Sequence, residues 1–149
     1  GEGHYVCLIK KPEGEVITKF KNQTDKLKNI HKLVNIEDGY IYQNDDTYYL
    51  TNEYFDLKGL HIIRGGVKLG TLEKYGFEYD HALSHVLSNF PLKYELDEDN
   101  LNRYLKGEQL SVKSPDGITL LTYKSIGVGF GKVTKNKLNN KYPKGLRRK

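Results

Sequence analysis

Short β-forming runs, each closed by turn residues, recur from residue 39 to residue 133 and constrain the fold more than any other feature of the sequence. Two aromatic runs, 39–43 and 47–51, flank turn-forming residues at 44–46 and predict a β-hairpin. Further strands are predicted over 60–64, 67–72, 110–113, 118–123 and 128–133. The fold is therefore expected to be built around β-sheet.

Two segments change to helical spacing. Apolar residues between 82 and 87 share one helical face after Asp80, an N-cap candidate, and this predicts a helix over 80–89. The acidic residues at 97–99 open a second predicted helix, which ends at a left-handed Gly107. From residue 59 onward the order is two strands, two helices and three strands. This order predicts an α+β fold, a small mixed β-barrel with two flanking helices.

The first 56 residues are organised differently. Residues 4–10 form an apolar, β-forming run without a neighbouring strand, and a polar, lysine-rich stretch follows over 15–35. Because one strand has no core of its own, we expect this run to belong to a domain that precedes the chain. The chain begins at Gly1 and contains no methionine, so we expect a fragment.

Cysteine usage and apolar content restrict the class of protein further. Cys7 is the one cysteine, so no intramolecular disulfide framework can form and a reducing, cytoplasmic location is expected. No stretch approaches the roughly 18 apolar residues of a membrane span. With 12 tyrosines and 5 phenylalanines, the chain has enough aromatic residues for a packed core.

Three alternating glycines, Gly127, Gly129 and Gly131, precede Lys132 and raise the question of a phosphate-binding loop. The P-loop pattern fails because Val133 follows the lysine, and the dinucleotide pattern fails because the spacing is G-x-G-x-G and no helix follows. Glycine at every second residue instead leaves one face of a strand bare. Structural packing and the approach of a ligand both remain open for this face.

Other candidate sites for chemistry are sparse. His81 and His85 stand four residues apart, but the motif H-A-L-S-H lacks the glutamate of a zinc protease and no third ligand is evident. The acidic clusters occupy a predicted turn and a predicted helix start, where structural roles explain them. We therefore predict no catalytic residue, no cofactor site and no metal site in this chain.

Charge is divided unevenly along the chain. Residues 1–116 carry 15 Lys and Arg against 19 Asp and Glu, whereas residues 117–149 carry nine Lys and Arg and no acid. Asparagines and Tyr142 are interleaved with these cations and supply base-edge amides and a stacking ring. The pattern predicts one element that faces a polyanion such as RNA. The alternative is a solvated tail without a partner.

Four blocks of the sequence carry a family resemblance: LKGLHIIRGGVKLGTL, GFEYDHALSHVL, NRYLKGEQL and GVGFGKVTKNKLNNKYPKGLRR. In this order they resemble the C-terminal, PUA-like RNA-binding domain of RsmF-type (Sun-family) ribosomal RNA cytosine-5 methyltransferases. The opening GEGHYVCLIKK is similar to the last strand of the family's catalytic domain. The chain departs from the family in two places, with Tyr79-Asp80 where the family often has Pro-Ser and Asn139 where it has lysine.

The resemblance implies a division of the chain and a role for it. Residues 1–11 would be the last strand of a missing catalytic domain, 12–56 a connector with a short helix and the β-hairpin, and 57–149 a PUA-like RNA-binding domain. S-adenosylmethionine would be bound by the missing catalytic domain, and no cofactor by this fragment. The partners would be ribosomal RNA and the chain's own catalytic domain, and not a membrane. The residues predicted to contact RNA are Arg64, Lys68, Lys132, Lys135, Lys137, Asn140, Lys141, Tyr142, Lys144, Arg147 and Arg148.

The leading hypothesis is thus an RNA-binding fragment that positions ribosomal RNA for a cytosine-5 methyltransferase. A structural domain that docks on the catalytic domain without contacting RNA is the alternative. An enzyme that transfers methyl groups with this chain alone is a more distant third, because the two cysteine motifs and the cofactor loop of the family are missing from the sequence.

Overall fold

Two β-sheets, one α-helix and two short 3-10 helices make up the described part of the chain. The structure is a computed structural model that describes residues 39–52, 65–87 and 89–149. The strands are β1 (Tyr40–Asn44), β2 (Thr47–Thr51), β3 (Val67–Glu73), β4 (Gly76–Tyr79), β5 (Lys93–Glu95), β6 (Leu110–Ser111), β7 (Gly117–Tyr123), β8 (Ile126–Thr134) and β9 (Lys137–Asn140). The helices are α1 (Glu98–Leu105) and the 3-10 helices His81–His85 and Lys144–Leu146.

The first sheet is antiparallel, with strand order β1-β2-β3-β4. The predicted hairpin is confirmed, because β1 and β2 pair around a turn in which Asp45 has a φ of 51°. Strand β2 also pairs with β3, and a bulge at Tyr48/Tyr49 interrupts the register. The hairpin therefore shares a sheet with β3 and β4, and the strand pairing crosses the predicted boundary at residue 56.

The second sheet is mixed, with strand order β5-β7-β8-β9-β6. Strand β5 runs parallel to β7, and the other pairs are antiparallel. The predicted mixed barrel is thus realised as a curled half-barrel whose edges are β5 and β6. Strands β4, β5 and β9 have no counterpart in the predicted strand list, and β9 lies within the basic C-terminal region.

Helix α1 matches the second predicted helix closely. The Asp97 carboxylate accepts a hydrogen bond of 2.7 Å from the amide of Asn100, as an N-cap should. At the other end Gly107 has a φ of 86°, a conformation in which glycine carries no steric penalty. Local sequence signals were sufficient to define this element.

The prediction of two flanking helices is wrong, because the described residues of the segment over 80–89 contain only the 3-10 helix His81–His85. Its predicted N-cap is present, since the Asp80 carboxylate accepts a 2.9 Å hydrogen bond from the amide of Ala82. The element contacts both β3 and β8, and the backbone of Ser84 packs directly against Gly127. This close packing between strands leaves one tight turn in place of a longer helix.

Two cores lie on opposite faces of the second sheet, as the neighbouring residues Leu120 and Leu121 on β7 show by pointing to different clusters. The first core joins the two sheets and the 3-10 helix, and its buried members are Ile41, Tyr48, Leu69, Leu83, Leu87, Phe90, Leu120 and Phe130. The second core lies against α1, and its buried members are Leu96, Tyr104, Leu110, Val112, Leu121, Val133 and Leu138.

Several sequence predictions fall outside the described ranges. They are the strand at 4–10, the helix within the connector, the strand at 60–64 and the predicted RNA contact Arg64. Within the described ranges, no helix is long and apolar enough to cross a membrane.

Candidate nucleic-acid interface

The alternating glycines of β8 pack against the protein's own elements. A Cβ atom at Gly127 would collide with the carbonyl of Ser84, and one at Gly129 would collide with the hydroxyl of Tyr104. Gly129 also has a φ of 153°, in the region that favours glycine. Leu121 and Thr122 of β7 pair with Gly129 and Gly127, and a bulge between these two pairs turns the glycines toward different neighbours. Of the two alternatives left open by the sequence, structural packing accounts for these glycines.

Tyr104 of α1 shows how tightly β8 is packed. Its side chain is fully buried, and its hydroxyl donates a 2.9 Å hydrogen bond to the carbonyl of Phe130. Burial raises the pKa of Tyr104 far above that of a free tyrosine, so this hydroxyl stays protonated and acts as a donor. The helix is thereby fixed on the face of the sheet that carries the second core.

The opposite face of the sheet becomes polar toward the end of β8. Lys132 of β8 and Asn139 of β9 lie directly opposite each other, and both are exposed. Lys137 of β9 lies opposite Thr134 and beside Ser111 of β6. These side chains alternate with the buried Val133 and Leu138, as the pleat of a strand requires.

A tight turn joins β8 to β9 and presents a further lysine. Lys135 and Asn136 have φ angles of 49° and 62°, as a type I′ hairpin turn requires. The Lys135 amide donates a 2.8 Å hydrogen bond to the carboxylate of Asp116, which ties the turn to the loop before β7. We call the exposed surface formed by Lys132, Lys135, Lys137 and Asn139 the hairpin face. Within the described ranges its lysines form no ion pair, so their charges are available to a partner.

Three residues predicted to contact RNA have partners within the protein. The Asn140 amide donates to the carbonyls of Tyr104 (2.8 Å) and Glu108 (3.0 Å), and its side-chain oxygen accepts from the Tyr142 amide (2.7 Å). The Arg147 guanidinium donates to the carbonyl of Tyr142, at 3.3 Å from Nη2. The Tyr142 ring packs edge-on against Tyr104, with centroids 5.3 Å apart. These contacts hold the C-terminal segment against α1.

Lys68 and Lys141 lie at a second location, a polar pocket of about 240 Å³ between the first sheet and the segment that follows β9. Lys68 forms a 3.5 Å ion pair with Asp80, and Lys141 forms a 3.2 Å ion pair with Glu78. The remaining predicted contacts, Lys144 and Arg148, are exposed on the C-terminal segment. The predicted RNA contacts are therefore divided among the hairpin face, the polar pocket and the C-terminal segment. None of them is shown to contact RNA.

The histidines of the 3-10 helix form a pair beside this pocket. Their Nε2 atoms are 3.3 Å apart, and His85 Nδ1 lies 3.0 Å from the carbonyl of Gly127. Burial and the neighbouring His85 lower the pKa of His81, and Asp80 opposes them. In the described ranges no three metal-ligating side chains cluster, so the pair has no further protein ligand there.

The pocket residue Glu78 was not predicted as functional. Its partner Lys141 lies 63 positions later in the chain, and no local motif links a residue of β4 to the segment that follows β9. Likewise, the Gln109 amide donates a 2.8 Å hydrogen bond to Asn139 across 30 positions and extends the hairpin face. Only the folded chain brings these pairs together.

Two family models match consecutive parts of the chain. Residues 19–87 match the RsmF rRNA methyltransferase first C-terminal domain, and residues 91–148 match the methyltransferase RsmF PUA domain. The junction between the two matches falls between the first 3-10 helix and β5.

Similar curated proteins carry one name, ribosomal RNA small subunit methyltransferase F. The protein from Shewanella piezotolerans is 26% identical over 97% of this chain and 35% of its own length. The protein from Vibrio cholerae is 26% identical over 97% of this chain and 36% of its own length. The protein from Shewanella loihica is 30% identical over 72% of this chain and 23% of its own length. The chain thus spans about a third of the length of the first two relatives.

Proposed function

The chain belongs to the RsmF family of ribosomal RNA methyltransferases, and we propose that it is the RNA-binding C-terminal region of such an enzyme. In this proposal a preceding catalytic domain transfers a methyl group from S-adenosylmethionine to carbon 5 of a cytosine. The present chain binds ribosomal RNA and positions it for that reaction. It would act in the cytoplasm, where ribosomes are assembled.

The hairpin face is the observation that carries the proposal. Lys132, Lys135 and Lys137 stand on one rigid two-stranded element, and no acidic residue occurs after Asp116. A lysine whose ammonium group forms no ion pair can bind a phosphate without first breaking one, and each such contact releases a counterion from the nucleic acid. The neighbouring Asn139 adds an amide that can hydrogen-bond to sugars or base edges.

The glycines of β8 support the proposal in an indirect way. They let α1 and the first 3-10 helix pack closely against the sheet from both sides. The hairpin that continues from β8 is thereby anchored in two cores, and its lysines are held on a fixed scaffold. A rigid scaffold loses less conformational entropy when it binds an extended partner.

The test is the salt dependence of RNA binding by the double variant Lys132→Gln/Lys137→Gln. For the unmodified chain we expect log K to fall linearly with log salt, with a slope of about −0.7 for each phosphate contact to single-stranded RNA. The variant removes two contacts and should reduce the magnitude of the slope by about 1.4. Fluorescence anisotropy with a labelled ribosomal RNA fragment at several salt concentrations measures both slopes.

The matched control is Lys74→Gln/Lys106→Gln, which removes the same charge from the β3–β4 turn and from the end of α1. Its slope should stay within experimental error of that of the unmodified chain. Equal slopes for both double variants would refute the assignment of the hairpin face. Failure of the unmodified chain to bind RNA would favour the alternative, a structural domain that docks on the catalytic domain.

A further inference from the structure

The polar pocket between the first sheet and the segment after β9 lies at the junction of the two family domains. Thr71 of β3 and Glu78 of β4 line it from the first C-terminal domain, and Lys141 and Pro143 line it from the PUA domain. The Lys141–Glu78 ion pair, at 3.2 Å, crosses this junction. A ligand in the pocket would therefore contact both domains at once.

The lining combines cationic and anionic groups. Lys68 and Lys141 are donors, and the carboxylates of Asp80 and Glu78 are acceptors within 3.5 Å and 3.2 Å of them. A phosphate group would meet both carboxylates and be repelled by them. A neutral group with donors and acceptors on the same edge could satisfy both kinds of side chain without that repulsion.

Glu78 and Lys141 retain capacity for such a group. The Lys141 ammonium donates a hydrogen bond to Oε1 of Glu78. Within the described ranges the Glu78 carboxylate accepts no other hydrogen bond, so Oε2 is available to a ligand. The Glu78 side chain is 60% exposed and that of Lys141 is 38% exposed, so both can be reached from solvent. An exposed ion pair of this kind is only weakly stabilising, so its rearrangement around a ligand costs little.

We propose that this pocket binds the base of a guanosine in single-stranded RNA; the inference rests on the proposed RNA-binding function. Among the four bases, guanine presents two adjacent donors, N1–H and the 2-amino group, beside the acceptor O6. The Glu78 carboxylate would accept from both donors, and the Lys141 ammonium would donate to O6. Recognition of the Watson–Crick edge of an unstacked base is the common mode of sequence-specific RNA binding.

The other bases fit the pair less well. Uracil has one donor between two carbonyl oxygens, so a bidentate carboxylate would face an acceptor. Cytosine and adenine present one amino group next to a ring nitrogen that accepts, and each leaves one carboxylate oxygen without a partner. The ring of Pro143 provides an apolar wall for any of the bases, so it does not decide among them.

Binding of oligoribonucleotides that differ at one central position tests the proposal. In a uridine background, we expect the unmodified 149-residue chain to bind the strand with a central guanosine about 5- to 150-fold more tightly than the strands with A, C or U. The variant Glu78→Gln should lose this preference. Its salt slope should not change, because a carboxylate makes no phosphate contact.

Glu73→Gln, which removes an exposed carboxylate of β3 that does not line the pocket, is the matched control and should keep the preference. Lys141→Gln is a second pocket variant and should also weaken the guanosine preference. If the unmodified chain binds all four strands equally but with the expected salt slope, the base pocket is refuted while RNA binding stands. If it binds none of them, the proposed function fails as well. A guanosine preference that survives in Glu78→Gln would likewise overturn the assignment.

Discussion

Replacing Gly129 by alanine tests whether the glycine-rich strand serves packing. The φ of Gly129 is 153°, and a residue with a side chain held in such a conformation costs about 1–3 kcal/mol. The new Cβ would also collide with the hydroxyl of Tyr104, and overpacking of this kind typically costs about 1–3 kcal/mol. We therefore expect Gly129→Ala to lower the free energy of unfolding by about 2–6 kcal/mol.

Removing the hydroxyl separates the two contributions. Tyr104→Phe should itself lower the free energy of unfolding by about 0.5–1.5 kcal/mol, the contribution of one hydrogen bond. The loss stays in this range because the Phe130 carbonyl keeps a 3.2 Å hydrogen bond from the Lys141 amide. In that background the nearest ring atom to the new Cβ is Cζ at 3.0 Å, which is still a tight contact, so the collision is relieved in part. The double variant should then be more stable than additivity predicts, by about 0.5–3 kcal/mol.

Urea unfolding followed by circular dichroism measures the four free energies of this cycle. Two other glycines serve as controls. Gly76 has a φ of 144° but open space around its Cβ position, so Gly76→Ala should show the conformational cost of about 1–3 kcal/mol alone. Gly145 has open space and no such φ, so Gly145→Ala should change stability by less than about 0.5 kcal/mol. Additive effects of Gly129→Ala and Tyr104→Phe, within about 0.5 kcal/mol, would refute the packing role.

Three further predictions concern other parts of the fold. Asn140→Ala removes three hydrogen bonds and should cost about 1.5–4.5 kcal/mol in urea unfolding, with the RNA affinity of the folded chain unchanged; weaker RNA binding by the folded variant would instead reveal an RNA contact. Asp97→Ala removes the N-cap of α1 and should cost about 0.5–2 kcal/mol, seen as a lower melting temperature, and an unchanged melting temperature would contradict the cap. Because burial lowers the pKa of His81 below 6.5, the unfolded chain binds the proton more readily. The free energy of unfolding should therefore fall as the pH drops below 6.5, and it should fall less in the variant His81→Phe. Identical pH profiles of the variant and the unmodified chain would contradict this.

Elements with strong local signals were predictable from the sequence. The β1–β2 hairpin has turn residues between two aromatic runs, and α1 has an acidic cap and a terminal glycine. Their stability depends on side chains within a few residues of one another, which the sequence displays directly. The resemblance to the RsmF family likewise rested on residues in order along the chain, and the family models confirm it.

Elements that depend on distant partners were not predictable in the same way. The segment after Asp80 has helical spacing, yet its position between β3 and β8 limits it to a 3-10 turn. Strand β5 has three residues and is defined by its parallel partner β7. Strand β9 was hidden within a run of lysines and asparagines, since its single buried residue, Leu138, gives little hydrophobic periodicity.

By itself the sequence determined the concentration of positive charge after Asp116, the turn chemistry and the family to which the chain belongs, since composition and order are properties of the chain alone. Tertiary structure decided which cations are free and which are engaged. Within the described ranges Lys132, Lys135 and Lys137 form no ion pair, whereas Lys141 lies beside Glu78, 63 positions earlier. Tertiary structure also assigns the glycines of β8 to packing. Electrostatic and steric interactions depend on distance in space, and only the fold sets those distances.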